Sequence, residues 1–357
     1  MRKSLKLRSL SGFAILLVTL VLSPLVSAQN ATVKVMTYNV FQGTDFVEVL
    51  SAQTFEQFLA GAQATLDEVN ASNLPLRMRA IAHQIAITQP DLVGIQEATL
   101  WRYGIGPNPT DVLFDPLQEL LGALAAEGQH YQAAVIVDEY ELQGPMPDLT
   151  HYLRANGRNV LLARTDRLDM VVSNPQTAAF HTLFQIPSAL LGNPTIVRGW
   201  GSVDVNLHGE EFRFIVTHLE NPIPQVPITY QLIQAQALEL SQIPANTNLP
   251  VILVGDFNAI ANDPTDPSNA TYQEMLNLGF GDAWTDRNRP PLPGLTWPLI
   301  DSSTTDTATQ RIDFVFYRGH VTSREARLAG DAKQDRVDNM WPSDHAGLRA
   351  LLQIGAE

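Results

Sequence analysis

Residues 250–259 read Pro-Val-Ile-Leu-Val-Gly-Asp-Phe-Asn-Ala, and Val251–Val254 is apolar at every position before the chain turns polar at Asp256 and Asn258. A short apolar run without alternation is the pattern of a strand buried on both faces. Leu92–Gln96 repeats it and ends at Glu97, and Val33–Tyr38 reads as a strand ending at Asn39. Helical spacing covers Val49–Val69, Leu76–Thr88 (stopped by Pro90), Leu117–Ala126 and Ile228–Leu240. Further strands are expected near Tyr131–Val137, Asn159–Ala163, Leu168–Val172, Arg311–Tyr317 and Leu348–Ile354. A hairpin of Val197–Leu207 and Glu211–His218 turns at His208-Gly209. Strands with helices between them, plus a hairpin, indicate an α/β sandwich with mixed sheets. The Pro/Gly-rich stretches Gly104–Pro109, Gly144–Asp148 and Asn288–Pro298 are short and read as surface loops of one domain.

Of the 357 residues, 45% are hydrophobic and 17% charged, which supports a core and excludes a wholly disordered chain. There is no cysteine, so a disulfide framework, a thiolate zinc site, an iron–sulfur cluster and a cysteine nucleophile are excluded. Met1–Arg8 is basic, Phe13–Val26 is mostly apolar but short for a membrane span, and Val26-Ser27-Ala28 offers a small-x-small cleavage pattern. Residues 1–28 are therefore expected to be a signal peptide, an uncleaved anchor being the alternative. Residues 29–357 are expected to form a single secreted or periplasmic domain, monomeric and without stable membrane insertion after cleavage. Removing Arg2, Lys3, Lys6 and Arg8 from the 23 basic residues leaves 19 against 37 acidic ones, net −18. Such a charge repels a polyphosphate backbone at long range and argues against tight non-specific DNA binding.

The chemistry is concentrated where strands end. Asn39, Glu97, His218, Asp256, Asn258, Asp313, Asp344 and His345 each sit at or just past a strand-like run. In layered α/β folds that rim gathers groups from distant parts of the chain. Four carboxylates and two amides are hard oxygen donors, suited to Mg²⁺, Mn²⁺ or Ca²⁺ rather than zinc. A hard cation beside a His–Asp pair is equipment for attacking phosphorus with water. Asp313 lies inside the apolar RIDFVF, where an unpaired carboxylate costs on the order of several kcal/mol; Ser343-Asp344-His345 offers it an imidazole. Singly, each residue has a plainer use: a turn cap for Asn39, an ion pair for Glu97, an Asx turn at GDFNA, a satisfied core histidine for His218.

As an ordered set, TYNV, GIQEA, THLE, GDFNA, RIDFVF and SDHAGL, spread from Tyr38 to Leu348, resemble the motifs of the endonuclease/exonuclease/phosphatase superfamily. That group includes DNase I-like nucleases, exonuclease III-type AP endonucleases, neutral sphingomyelinases and inositol polyphosphate 5-phosphatases. The chain most resembles its secreted bacterial members. The resemblance implies a four-layer α/β/β/α sandwich of two mixed β-sheets and a Mg²⁺-dependent phosphoesterase, with Mn²⁺ or Ca²⁺ as substitutes. It also implies roles. Glu97 is the principal metal ligand, with Asn39 beside it and Asp344 contributing to a metal site. Asp256 orients or deprotonates water, and Asn258 holds a phosphate oxygen. His345, steered by Asp313, is an acid/base group or transition-state stabiliser, and His218 binds phosphate or protonates the leaving alkoxide. Arg158 and Asn159, in GRNVLLAR, fall where relatives contact phosphate.

Departures narrow the substrate. Phe41 stands where AP endonucleases carry a second acid, and the Trp and Cys that mark inositol 5-phosphatases are missing before GDFNA and Arg311. A nuclease is the first expectation and a sphingomyelinase or phospholipase C-type enzyme the second, with nucleic acid or a phospholipid headgroup as partner. A non-catalytic binding protein retaining the fold is the third. Trp284–Trp297, with Pro290–Pro293 between, is the best candidate for the aromatic hairpin of the lipid enzymes. Trp101, Trp200 and Trp284 read as core, whereas Trp297 and Trp341 are candidate walls of the substrate site, able to stack on a base, sugar or headgroup.

Overall fold

The computed structural model describes residues 31–186, 190, 192–287, 292–302 and 307–355; the expected signal peptide lies outside them. In chain order come β1 (Ala31–Asn39), α1 (Val47–Leu50), α2 (Phe55–Ala71), α3 (Leu74–Thr88), β2 (Leu92–Gln96), β3 (Leu100–Ile105), β4 (Val112–Phe114) and α4 (Pro116–Ala126). Then follow β5 (Tyr131–Pro145), β6 (His151–Arg164), β7 (Met170–Ala179), β8 (Phe184–Gln185), β9 (Thr195–Ile196), β10 (Gly199–Leu207), β11 (Glu210–His218), α5 (Ile228–Gln242) and β12 (Val251–Asp256). The last are α6 (Asn269–Asn277), β13 (Gly281–Asp282), α7 (Ala283–Arg287), β14 (Asp313–Arg318), β15 (Val321–Ala329) and β16 (Gly347–Ile354).

Two mixed sheets face each other. One runs β15-β16-β1-β2-β6-β3-β4, with β5 paired to β6; the other runs β13-β14-β12-β11-β10-β7. Each has one parallel pair, β1 with β2 and β11 with β12. The pair β1/β2 is bridged by α1–α3 and the pair β11/β12 by α5, as a parallel connection requires. The sequence pattern explains the layers. Val33, Val35 and Leu92 meet Phe212, Phe214, Val216, Ile252, Val254 and Val315 between the sheets. The alternate residues Met36, Tyr38, Val93 and Ile95 pack outward on Met78, Ile81 and Ile85 of α3 and Leu117, Leu120 and Leu124 of α4. On the other side Ile215, Leu253, Phe314 and Phe316 pack on Ile233, Ala237 and Leu240 of α5 and Met275 of α6. The result is the expected helix–sheet–sheet–helix sandwich, in which central strands buried on both faces need unbroken apolar runs.

Gly94 sits where the two sheets pack tightly against each other. A Cβ there would stand 2.5 Å from Val254 Cγ2 and 2.9 Å from Val216 Cγ2, both on stiff branched side chains. Gly94→Ala is expected to lower the unfolding free energy by about 1–3 kcal/mol, seen as an earlier urea midpoint with little change in slope.

The structure also corrects the reading of several elements. The helix expected over Val49–Val69 is two, because the chain leaves α1 after Leu50 and restarts at Thr54, whose hydroxyl accepts from Gln57 N at 3.2 Å while Gln57 Oε1 accepts from Thr54 N. That reciprocal cap makes a new helix start cheaper than continuing the old one. The strand expected from Leu168 begins at Met170, and Leu168 is 93% exposed. Among the described residues, no helix is long and apolar enough to cross a membrane.

Candidate active site

The inward-facing alternation that builds the core ends on polar groups at one rim. Val33 and Val35 continue to Thr37 and Asn39; Phe212, Phe214 and Val216 continue to His218; Ile252 and Val254 continue to Asp256. Register holds these ends level, for His218 pairs with Asp256 and Asp256 with Asp313 across neighbouring strands. Asn39 pairs with Gln96, which brings Glu97 to the same edge. Period two therefore puts a core and a site on the same face of the same strands.

Hydrogen bonds tie the two sheets together at this rim. Asn39 Nδ2 donates to Glu97 Oε1 and to Asp256 Oδ2, each at 3.1 Å. Gln42 N donates to Glu97 Oε2 at 3.0 Å, and Trp101 Nε1 donates to Gln42 O at 2.9 Å. Glu97 and Asn258 take left-handed backbone angles, φ 61° and 50°, just past their strands. Asn tolerates this region more readily than most residues, but at Glu97 the turn costs about 1–2 kcal/mol and is held by the bonds to its carboxylate. Asn258 N caps Asp256 Oδ1 at 2.8 Å, forming the Asx turn that GDFNA suggests.

Two imidazoles flank Asp256. His345 Nδ1 pairs with Asp313 Oδ2 at 3.0 Å, while its Nε2 faces Asp256 Oδ2 at 3.8 Å. His218 Nε2 faces the same oxygen at 3.6 Å. Ser343 fixes the loop carrying His345, its hydroxyl donating to Asn39 O at 2.7 Å and accepting from His345 N at 3.2 Å. The environment separates the two rings. Burial opposes charge on His345, but Asp313, Asp344 and Asp256 outweigh it and hold its pKa well above the ordinary value. Burial and the neighbouring Arg198 guanidinium push His218 well below. Asp256 is raised to about 7, by burial and then by repulsion from Asp313. Glu97 is raised by burial and by Asp344. Such opposed shifts in one cleft are what acid–base chemistry needs.

The donor chemistry fits a hard divalent cation. Asp344 lies close enough to raise the cost of ionising Glu97, and both are only half-buried; a cation held beside Glu97, with the Asn39 amide next to it, would relieve that repulsion. Asp256, Asp313 and His345 also place ligand atoms within 4.8 Å of one another. There, however, His345 Nδ1 is already committed to Asp313.

Two expected site residues, Arg158 and Trp341, are placed elsewhere, whereas Asn159 stays on the inward face near the rim. The Arg158 guanidinium is tied to Asp115 Oδ1 at 2.5 Å and Ala98 O at 2.8 Å, so it braces the chain after Glu97 instead of facing the cleft. Asn159 is buried between the sheets and donates to Glu139 Oε1 at 2.5 Å. Trp341 is only 2% exposed, because Leu299, Ala346 and Leu328 pack against the ring and the Arg336 guanidinium covers it. Trp297, half-buried, keeps its ring 6.3 Å from that of His345. Trp101, Trp200 and Trp284 are buried. Part of the Trp284–Trp297 stretch, including Pro290 and Pro291, lies outside the described residues. Sequence reading missed Arg198, Glu139 and Glu220; the available signal was a lone arginine opening the strand-like GWGSVDV.

Comparison with known proteins follows the same line. The endonuclease/exonuclease/phosphatase family model matches residues 36–345. A family protein from Leptotrichia buccalis superposes with TM-score 0.56 at 16% identity, covering 89% of this chain and 98% of that one. A Beutenbergia cavernae protein of the family gives 0.56 at 21%, covering 91% and 72%. TDP2 from D. rerio, complexed with a single-strand DNA product, gives 0.51 at 18%, covering 90% and 98%. These identities speak to the fold. No curated protein matches the chain significantly.

Proposed function

Because the chain belongs to the endonuclease/exonuclease/phosphatase family, and is thereby a phosphoric ester hydrolase, we propose that its rim hydrolyses a phosphodiester, with nucleic acid as the favoured substrate. One observation carries the reading: His218 and His345 aim Nε2 at the same Asp256 oxygen, 3.6 and 3.8 Å away, with the Asn39 amide on it as well. Asp256, with a pKa near 7, takes the proton of a water attacking in line with the leaving oxygen. The paired His345 imidazolium returns a proton to the leaving alkoxide. His218 and Asn258 donate toward phosphoryl oxygens, where charge develops. Glu97 and Asp344, with Asn39 alongside, would hold a divalent ion such as Mg²⁺, and its chemistry there would be neutralisation of phosphoryl charge.

Nucleic acid is favoured by Trp297, whose half-buried ring beside His345 suits stacking on a base, and by the D. rerio relative's bound single-strand DNA product. The net charge favours short or single-stranded substrates over long duplex. Export, with cleavage after Ala28, belongs to this proposal and rests on residues 1–28. A second reading has a specific observation behind it. An apolar recess of about 230 Å³, lined by Phe46, Phe58, Trp101, Leu142 and Leu153, is linked to Glu97 through Trp101 and Gln42, which suits a lipid diester. The discriminating experiment incubates the protein from Gln29 onward with plasmid DNA, RNA or sphingomyelin, in Mg²⁺, Mn²⁺, Ca²⁺ or EDTA. Metal-dependent cleavage of DNA or RNA, absent from Glu97→Ala and His345→Ala, is the expected result. Phosphocholine release without nicking would overturn it in favour of the lipid reading.

A further inference from the structure

Behind His218 lies a buried ionic group whose members come from four strands or their flanks. Arg198, just before β10, donates through NH1 to Glu139 Oε2 at 3.0 Å, and the same nitrogen stands 3.1 Å from His218 Nδ1. Its Nε lies 3.8 Å from Glu220 Oε1. Glu139 is further held by Asn159. All five side chains are buried. A guanidinium at a protein interior stays charged and offers only donors. An imidazole nitrogen facing it at hydrogen-bond distance must therefore accept, so Nδ1 carries no proton. A competing contact exists on the other side of the ring, where Asn258 Nδ2 stands 3.2 Å from Nε2. That amide also donates to Leu219 O at 3.1 Å and has a second hydrogen that could face the ring, but between a neutral amide and a guanidinium the charge dominates.

We propose that Arg198 is a positioning residue that fixes His218 as a neutral imidazole with its proton on Nε2, so that His218 meets the substrate phosphate only as a hydrogen-bond donor. The assignment of roles rests on the phosphodiesterase reading above. It divides the two imidazoles, which motif and spacing leave interchangeable: His345, backed by Asp313, delivers the proton, and His218, backed by Arg198, does not titrate in the working range. The groups that bear on the ring are Arg198 on Nδ1, Asp256 and Asn258 on Nε2, His345 across Asp256, and Glu139 and Glu220 behind the guanidinium. The depressed pKa of His218 agrees with this arrangement.

The test is long-range ¹H–¹⁵N correlation on the full mature protein labelled at histidine, with His218→Gln to assign the signal. The expected result is a neutral ring protonated at Nε2 from about pH 5.5 to 9. A ring protonated at Nδ1 would mean that Asn258 sets its state, and a cationic ring at pH 7 would mean that the acids behind Arg198 prevail; either overturns the proposal. Arg198→Met leaves Glu139 uncompensated, so the variant for comparison is Arg198→Met with Glu139→Gln. In it the His218 midpoint rises, though burial still holds it below its ordinary value, the pH–rate profile gains an ionisation on its acid side, and kcat falls about 10- to 100-fold. Arg198→Lys, which keeps the charge, recovers the wild-type profile in part. An unchanged profile in the double variant would reduce Arg198 to a packing role. Because the nuclear magnetic resonance result needs no substrate, failure of the phosphodiesterase reading and failure of this inference are separable.

Discussion

Asp256→Asn slows phosphodiester hydrolysis by about 10³- to 10⁴-fold while leaving the protein folded. The argument is geometric first. The Asp256 carboxylate is 1% exposed, accepts from Asn39 Nδ2 and Asn258 N, and is approached by two imidazole Nε2 atoms. Among the described residues, no other carboxylate is paired with both rings. Its pKa near 7 makes it half-ionised at neutral pH, where a base is most effective. Asparagine preserves shape and the Asn258 contact but cannot take a proton. The pH profile follows with a definite sign. Activity rises as pH passes upward through about 7 and Asp256 ionises, then falls when the elevated His345 loses its proton. The check is kcat/KM on bis-p-nitrophenyl phosphate with Mg²⁺, alongside circular dichroism. A loss under about tenfold in a folded variant would remove Asp256 from the role of base.

The second large effect is on stability, and it reverses sign with metal. Burial and Asp344 raise the Glu97 pKa in the folded state. An acid whose folded value lies above its unfolded value keeps its proton longer when folded, so stability falls as pH rises from the ordinary carboxylate value through the folded one, and stays lower above it. Glutamine has no proton to lose. In EDTA at pH 8, Glu97→Gln therefore melts above wild type. With a divalent cation the order inverts, because wild type gains about 2.7 kcal/mol at a hundred times Kd and the variant gains little. Differential scanning calorimetry in EDTA and in Mg²⁺ or Mn²⁺ reads both halves. A variant that melts below wild type in EDTA, or responds to metal as wild type does, would place the cation away from Glu97.

Much of the rim was legible because one period serves two purposes. In VILVGDFNA and FRFIVTHLE the residues that fill the core and those that carry chemistry are successive members of the same inward-facing series, so finding the strand finds the site. What was not legible depends on contacts across sequence distance. Arg158 and Asn159 are adjacent in a motif, yet one side chain braces Asp115 and the other meets Glu139 between the sheets; strand alternation sends neighbours to opposite faces. Trp341 stands three residues before Asp344, but the packing of Leu299 and Ala346 and the cover of Arg336 bury it. The Arg198–Glu139–His218 group joins residues from positions 139 to 218, and no local pattern announces it. β3, β15 and α6 were missed because LWRYGI, VTSREARLA and NATYQEMLN interrupt their apolar positions with charge or polarity, which an exposed or edge face permits.

The central claim is that this rim directs water onto phosphorus in the presence of a divalent cation. Its most direct test is single-turnover hydrolysis of a phosphodiester in H₂¹⁸O, with enzyme in excess and Mg²⁺ present, and mass analysis of both products. The account predicts one ¹⁸O atom in the phosphomonoester, none in the released alcohol, and no reaction in EDTA. Label in the alcohol, an unlabelled phosphate from the first turnover, or full activity in EDTA would contradict it.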